Sequence, residues 1–108
     1  MTIKILGQQA LPATSETDVY EVPAGMEAVI SSLVIANRGS AASTFRVSIS
    51  VGGGVTADKD YLYYDIPIQG NDTFIATVGF TLQTGDVLRG YAGNNQLSYS
   101  AFGQESAS

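Results

Sequence analysis

Hydrophobic residues along this chain recur mostly at every second position. Phe45, Val47, Ile49 and Val51 alternate with Thr44, Arg46, Ser48 and Ser50. Phe74, Ala76, Val78, Phe80 and Leu82 alternate with Thr73, Ile75, Thr77, Gly79 and Thr81. A period of two sets one row of side chains against a core and the other in water, the pattern of a half-buried β-strand. No stretch keeps apolar residues at i, i+3, i+4 and i+7 over three turns, so little or no helix is expected.

Residues 27–37 follow another pattern. Ala28, Val29, Ile30, Leu33, Val34, Ile35 and Ala36 place apolar groups on both faces. Such a strand is predicted to be covered on both sides, either central in a sandwich or with one face against a neighbouring subunit. Shorter strands are expected over 2–6, 17–22, 61–68, 86–92 and 97–102. Turn residues separate them: Pro23-Ala24-Gly25, Asn37-Arg38-Gly39-Ser40, Gly52-Gly53-Gly54, Gly70-Asn71-Asp72, Thr84-Gly85-Asp86 and Gly93-Asn94-Asn95. Proline presets the first turn dihedral, and glycine and asparagine tolerate positive φ. Pro67 cannot donate to a ladder, so its strand is expected at a sheet edge or to end there. The predicted fold is all-β: a single antiparallel β-sandwich, jelly-roll-like, of about eight short strands. Residues 1–16 are expected to form an N-terminal strand or arm, with 8–15 a polar linker, and residues 17–108 the sandwich.

Composition narrows the function. A chain of 108 residues is one domain in length and should bury roughly two thirds of its unfolded surface. Charged residues make up only 14%, well below the usual quarter or so. Ser, Thr, Gly, Asn and Gln cover the surface instead, which suits a protein that works against other proteins. A plain secreted β-domain would share this composition. The net charge is −5, and the five basic residues (Lys4, Arg38, Arg46, Lys59 and Arg89) are scattered. Few phosphates can be neutralised that way, so nucleic acid is not an expected partner. The longest apolar run, 28–36, is interrupted by Ser31 and Ser32 and is too short to cross a bilayer. No signal-peptide pattern opens the chain, so neither a membrane association nor an export route is expected.

Candidate chemistry is sparse. The chain has no cysteine and no histidine. Disulfides, thiolate metal sites and Ser-His-Asp or Cys-His machinery are thereby excluded. Neither lysine has a motif serine nearby, and Gly52-Gly53-Gly54 lacks the Lys-Ser/Thr and helix start of a phosphate loop. Asp58, Asp60 and Asp65 lie close in sequence, but the apolar Tyr61-Leu62-Tyr63-Tyr64 between them breaks a calcium-loop pattern. No catalytic residue, metal ligand or cofactor site is assigned. Tyr61, Tyr63 and Tyr64 form the one aromatic cluster. By alternation Tyr61 and Tyr63 share a face, whereas Leu62, Tyr64 and Ile66 share the other, with Tyr64 expected in the core. Tyr61 and Tyr63, with Leu33 and Ile35 from the doubly apolar strand, are the candidate interface residues. A competing reading is a carbohydrate- or receptor-binding module, with Tyr61, Tyr63, Asp60 and Asn71 contacting a host glycan.

Several segments, in order, carry a family resemblance: Val19-Tyr20-Glu21-Val22-Pro23-Ala24-Gly25, Ala28-Val29-Ile30-Ser31-Ser32-Leu33-Val34-Ile35-Ala36-Asn37-Arg38, Tyr61-Leu62-Tyr63-Tyr64-Asp65, Asn71-Asp72-Thr73-Phe74, Gly85-Asp86-Val87-Leu88-Arg89 and Ala101-Phe102-Gly103-Gln104-Glu105. Together they span most of the chain and resemble a family of small virion proteins of tailed bacteriophages. The resemblance implies a non-enzymatic particle component located in the virion, in a head-decorating, neck, tail, baseplate or fibre position. Its implied partners are other virion proteins and further copies of itself in a symmetric oligomer. No functional residues carry over with it.

Overall fold

A computed structural model describes residues 3–107. Met1, Thr2 and Ser108, which the sequence assigns to the arm and to the sandwich, lie outside the described residues. Eight strands follow in chain order: β1 (Lys4–Ala10), β2 (Thr17–Glu21), β3 (Met26–Asn37), β4 (Ser43–Ser50), β5 (Tyr61–Ile68), β6 (Thr73–Leu82), β7 (Val87–Ala92) and β8 (Leu97–Ala107). Two single 3₁₀ turns, Val51–Gly53 and Asp58–Asp60, interrupt the β4–β5 connection. The strands form two four-stranded sheets, one ordered β1-β8-β3-β6 and the other β2-β7-β4-β5. All strand pairings are antiparallel. The expected antiparallel sandwich is the observed architecture.

The core lies between the sheets. Ile30, Leu33, Ile35, Tyr99 and Ala101 face inward from the first sheet, and Phe45, Val47, Leu88 and Ala92 from the second. Fully burying a large apolar side chain contributes about 1.5–3 kcal/mol, so this alternate-residue set is what closes the sandwich. Tyr99 crosses to the opposite sheet, where its hydroxyl approaches the carbonyl oxygens of Arg46 (3.0 Å) and Tyr91 (2.8 Å). Burial pushes that hydroxyl's pKa well above the ordinary tyrosine value. Its ring passes directly over Gly90, where a methyl group would stand 2.6 Å from Tyr99 Cε2.

The structure corrects several expectations. Leu33 and Ile35 are 0% exposed in the core, so they cannot line an external interface. The outward residues of β3 instead include Glu27, Val29, Val34 and Ala36, half-buried among their strand neighbours. Of the two alternatives for the first residues, the described ones form a strand, and residues 8–11 are not a linker. Lys4–Ala10 pairs with β8 as an edge strand, and Leu11, 2% exposed, joins the core. Pro67 does sit on an edge strand, since β5 ends its sheet.

Tyr61 and Tyr63 do not share a face, because β5 carries two register shifts. Tyr61 pairs with Ser48 and Tyr63 with Val47, leaving Leu62 as an extra residue. A second shift sets Tyr64 and Asp65 together against Arg46, with Asp65 at φ 51°. Each extra residue reverses the alternation. Tyr63 turns inward against Phe45 and Phe74, with ring centroids 6.3 and 5.4 Å away. Tyr64, expected in the core, is 55% exposed.

Candidate functional site

The outer faces of the two sheets differ in chemistry. On the first sheet, cross-strand register lines up Ile5, Phe102, Ser32 and Thr77, then Gln8, Ser100, Val34 and Ile75, then Ala10, Ser98, Ala36 and Thr73. None of these outward positions is charged. Ile5 and Ile75 are among the large exposed hydrophobic side chains of the protein. The result is an uncharged patch of apolar, hydroxyl and amide side chains across all four strands.

The outer face of the second sheet carries charge and aromatic rings. Arg46 Nε donates to Asp65 Oδ1 at 2.6 Å and its Nη2 to Oδ2 at 3.3 Å, a forked pair. The same guanidinium lies 4.2 Å from the ring centres of both Tyr64 and Tyr91. Cation–π attraction and the ion pair together fix this stack on the surface. Tyr61 meets Tyr64 edge-on, at 4.9 Å and 81°. The Tyr61 hydroxyl donates to the Glu16 carboxylate. That bond, followed by partial burial and the Glu16 charge, raises the Tyr61 pKa.

Arg89 organises the neighbouring loop. Its Nε donates to Asp18 at 2.7 Å. Nη1 reaches Ser50 Oγ, the Gly54 carbonyl and Thr56 Oγ1, and Nη2 the Gly53 carbonyl at 3.1 Å. Asp86 clamps the same loop by accepting from the Gly52 and Gln83 amides, both at 2.9 Å. An open hollow of about 390 Å³ lies between this loop and β5, lined by Glu16, Asp18, Thr56, Tyr61 and Arg89 among others. A second hollow of about 440 Å³, lined by Asp58, Tyr61 and Tyr64, shares Tyr61 with the first. Ser48 is placed by register between Tyr61 and Arg89 and lines neither hollow. Its hydroxyl is buried and has no partner among the described residues.

The sequence-predicted residues divide accordingly. Tyr61 is at the centre of the charged face, whereas Tyr63, Leu33 and Ile35 belong to the interior. Asp60 is 8% exposed and accepts from the Ala57 amide at 2.9 Å. That bond, with help from Lys59, holds its carboxyl below the usual range. Asn71 lies in the β5–β6 turn, the length of β5 away from Tyr61, with its amide donating to the Gly39 carbonyl. The glycan grouping of Tyr61, Tyr63, Asp60 and Asn71 is therefore not assembled. Among the described residues no three acidic side chains are grouped to hold a metal ion. Sequence reasoning missed Glu16, Asp18 and Arg89, because only cross-strand pairing joins them to Tyr61.

No family model matches the chain, and no curated protein matches it. Among solved structures, a pentameric capsid protein isolated from metagenomic phage sequences is similar at 18% identity, with a TM-score of 0.34. The similarity covers 95% of this chain and 62% of that one, so the chain spans less than two thirds of that protein's length.

Proposed function

We propose that the protein is a non-enzymatic structural subunit of a bacteriophage particle, which packs against further copies of itself and against other virion proteins. The observation that carries this reading is the uncharged central stretch of the outer face of the β1-β8-β3-β6 sheet, from the Ile5 row to the Ala10 row. Contiguous apolar patches on a soluble domain mark contact surfaces. An uncharged stretch of apolar and hydroxyl side chains suits a two-fold contact between like surfaces, since no charge within it repels its own copy. The strand order supports the reading as well. Sheets ordered β1-β8-β3-β6 and β2-β7-β4-β5 have the arrangement of a jelly roll, an architecture that viral capsid domains use. The resemblance of six sequence segments to tailed-phage virion proteins points to the same role, in the virion at the head surface, neck, tail or fibre. A composition without histidine or cysteine is in keeping with a part that does no covalent chemistry.

Sedimentation equilibrium of the purified chain tests the proposal. The expected result is a closed homo-oligomer that Ile75→Glu converts to monomer. Ile75 is 66% exposed, so the substitution should leave the melting midpoint of the separated subunit nearly unchanged. A chain that stays monomeric at every concentration, and does not co-sediment with phage particles, overturns the reading.

A further inference from the structure

We infer that the hollows flanking Tyr61 form a binding site for a neutral saccharide, with Tyr61 and Tyr64 as stacking surfaces and Glu16, Asp18 and Asp58 as hydroxyl acceptors. Three observations converge on it. The first is shape: each hollow has a volume within the range of about 300–1,000 Å³ that small-molecule sites occupy. The two adjoin across a single tyrosine, so a ligand longer than one sugar ring can bend around it.

The second is the aromatic pair. Tyr61 and Tyr64 stand nearly perpendicular, and Arg46 covers one face of Tyr64 while the ring remains 55% exposed. A pyranose has an apolar face of C–H groups that lies flat on such a ring, and a rim of hydroxyls that needs acceptors nearby. The rings are also held in place. Tyr61 is tied to Glu16 and Tyr64 is stacked on an ion-paired arginine, so little side-chain entropy is lost on binding.

The third is the state of the charges. Glu16 uses one oxygen for the Tyr61 hydroxyl, and Asp18 one for Arg89 Nε. The other oxygen of each is available to accept from a ligand hydroxyl. The nearby cations are already engaged: Arg89 holds Asp18 and the 50–56 loop, and Arg46 holds Asp65. Exposed carboxylates beside occupied guanidiniums repel anionic sugars, so the ligand class is neutral.

This site lies on the opposite sheet from the self-association face and does not depend on it, so the two readings fail separately. The test is titration of the ¹⁵N-labelled full chain with maltose, cellobiose, lactose and mannobiose, with sialyllactose as the anionic probe and tetralysine as the cationic one. At least one neutral disaccharide should move the Gly53, Gly54, Thr56 and Tyr61 amide signals saturably. Tyr61→Ala should weaken that response by about tenfold or more, a difference of one decade in Kd. Should Tyr61→Ala fold poorly, Glu16→Gln and Asp58→Asn, both at exposed positions, should each weaken it several-fold. The inference is overturned if none of the neutral sugars shifts these signals, or if the response survives both Tyr61→Ala and Glu16→Gln. It is also overturned if tetralysine alone moves them, which would assign the carboxylates to a basic protein segment.

Discussion

Replacing Tyr99 with phenylalanine isolates the contribution of one hydroxyl to holding the two sheets together. Tyr99 belongs to β8 in the first sheet and is 1% exposed, yet its hydroxyl reaches carbonyls of β4 and β7 in the second. One O–H carries one hydrogen, so the two contacts form a single shared bond and not two full ones. Phenylalanine keeps the ring, its packing over Gly90 and the alternate-residue core, so no large cavity opens. What is lost is one buried bond, leaving two carbonyls with one fewer donor, at a cost of about 1–3 kcal/mol. For a domain of this size each kcal/mol moves the melting midpoint by about 4 °C, which gives a fall of about 4–12 °C. The assay is paired thermal and urea unfolding followed by circular dichroism, with Ser100→Ala as the control on the outer face of the same strand. The urea slope should not change, because the surface exposed on unfolding is the same. A loss below about 0.5 kcal/mol, the range of ordinary surface substitutions, would refute the claim that this hydroxyl ties the sheets.

Three further predictions follow from neighbouring features. Gly90→Ala should destabilise the fold by about 1–3 kcal/mol, the usual cost of overpacking, because the new methyl would stand 2.6 Å from the Tyr99 ring; pairing it with Tyr99→Leu should recover part of the loss in a double-mutant cycle. Glu105 accepts from Lys4 at 2.8 Å and from the Tyr20 hydroxyl at 2.5 Å, and these bonds, Lys4 first, hold its carboxyl below the ordinary value of 4.5. The stabilisation it provides is therefore present above pH 4.5 and lost as the pH falls through the lowered value; acid titration of the melting midpoint should show a shallower decline in Glu105→Gln than in the parent. Arg89→Lys should keep the charge near Asp18 but lose the forked contacts to the 50–56 loop, so hydrogen exchange at the Gly52–Thr56 amides should quicken several-fold while core amides of β3 and β8 stay protected.

The sequence pattern predicted a strand overlapping each of the eight observed ones, since a two-residue period follows directly from the pleat, but it ended β1 at residue 6, where the structure carries it to Ala10. It also identified the inward row of β4 and β6 and the edge position of Pro67. It did not identify where the alternation breaks. The extra residues in β5 leave no mark in composition: Tyr61-Leu62-Tyr63-Tyr64 reads as a regular strand, and only its pairing with β4 shows that Tyr63 turns in while Tyr61 and Tyr64 turn out. β8 was expected to stop near residue 102, since Gly103-Gln104-Glu105-Ser106 lacks apolar alternation. It continues to Ala107 because β3 pairs with it along its whole length and Gly103 accommodates the bulge opposite Ile30. A Cβ at that glycine would fall 1.9 Å from the Val29 carbonyl oxygen. Leu11 was hidden for a similar reason. Its polar flanks resemble a linker, but its amide bonds the Leu97 carbonyl at 3.1 Å, which draws the side chain into the core.

The same reasoning explains why β3 appeared doubly covered. Its outward valines and alanine are not under a second layer; they are half-buried by flanking Ser, Thr and Phe102 side chains on β6 and β8. A strand in the middle of a sheet with an apolar outer row needs either another layer or another molecule to cover that row, since water on both flanks does not stabilise it. The second sheet shows the contrast. There, an outward polar row at Ser48 and Ser50 is covered from within the chain, by Arg89 and the loop it holds. One face is thus closed by an intramolecular loop and lined with charge, and the other is left open, with Glu27 near one end and no charge in its central rows. A protein that functioned alone would gain from charged residues at Thr73, Ile75 and Thr77, where side chains already point into solvent. Their absence is in keeping with the self-association proposed above, and introduction of a charge at Ile75 is the most direct test of that proposal that leaves the sandwich itself intact.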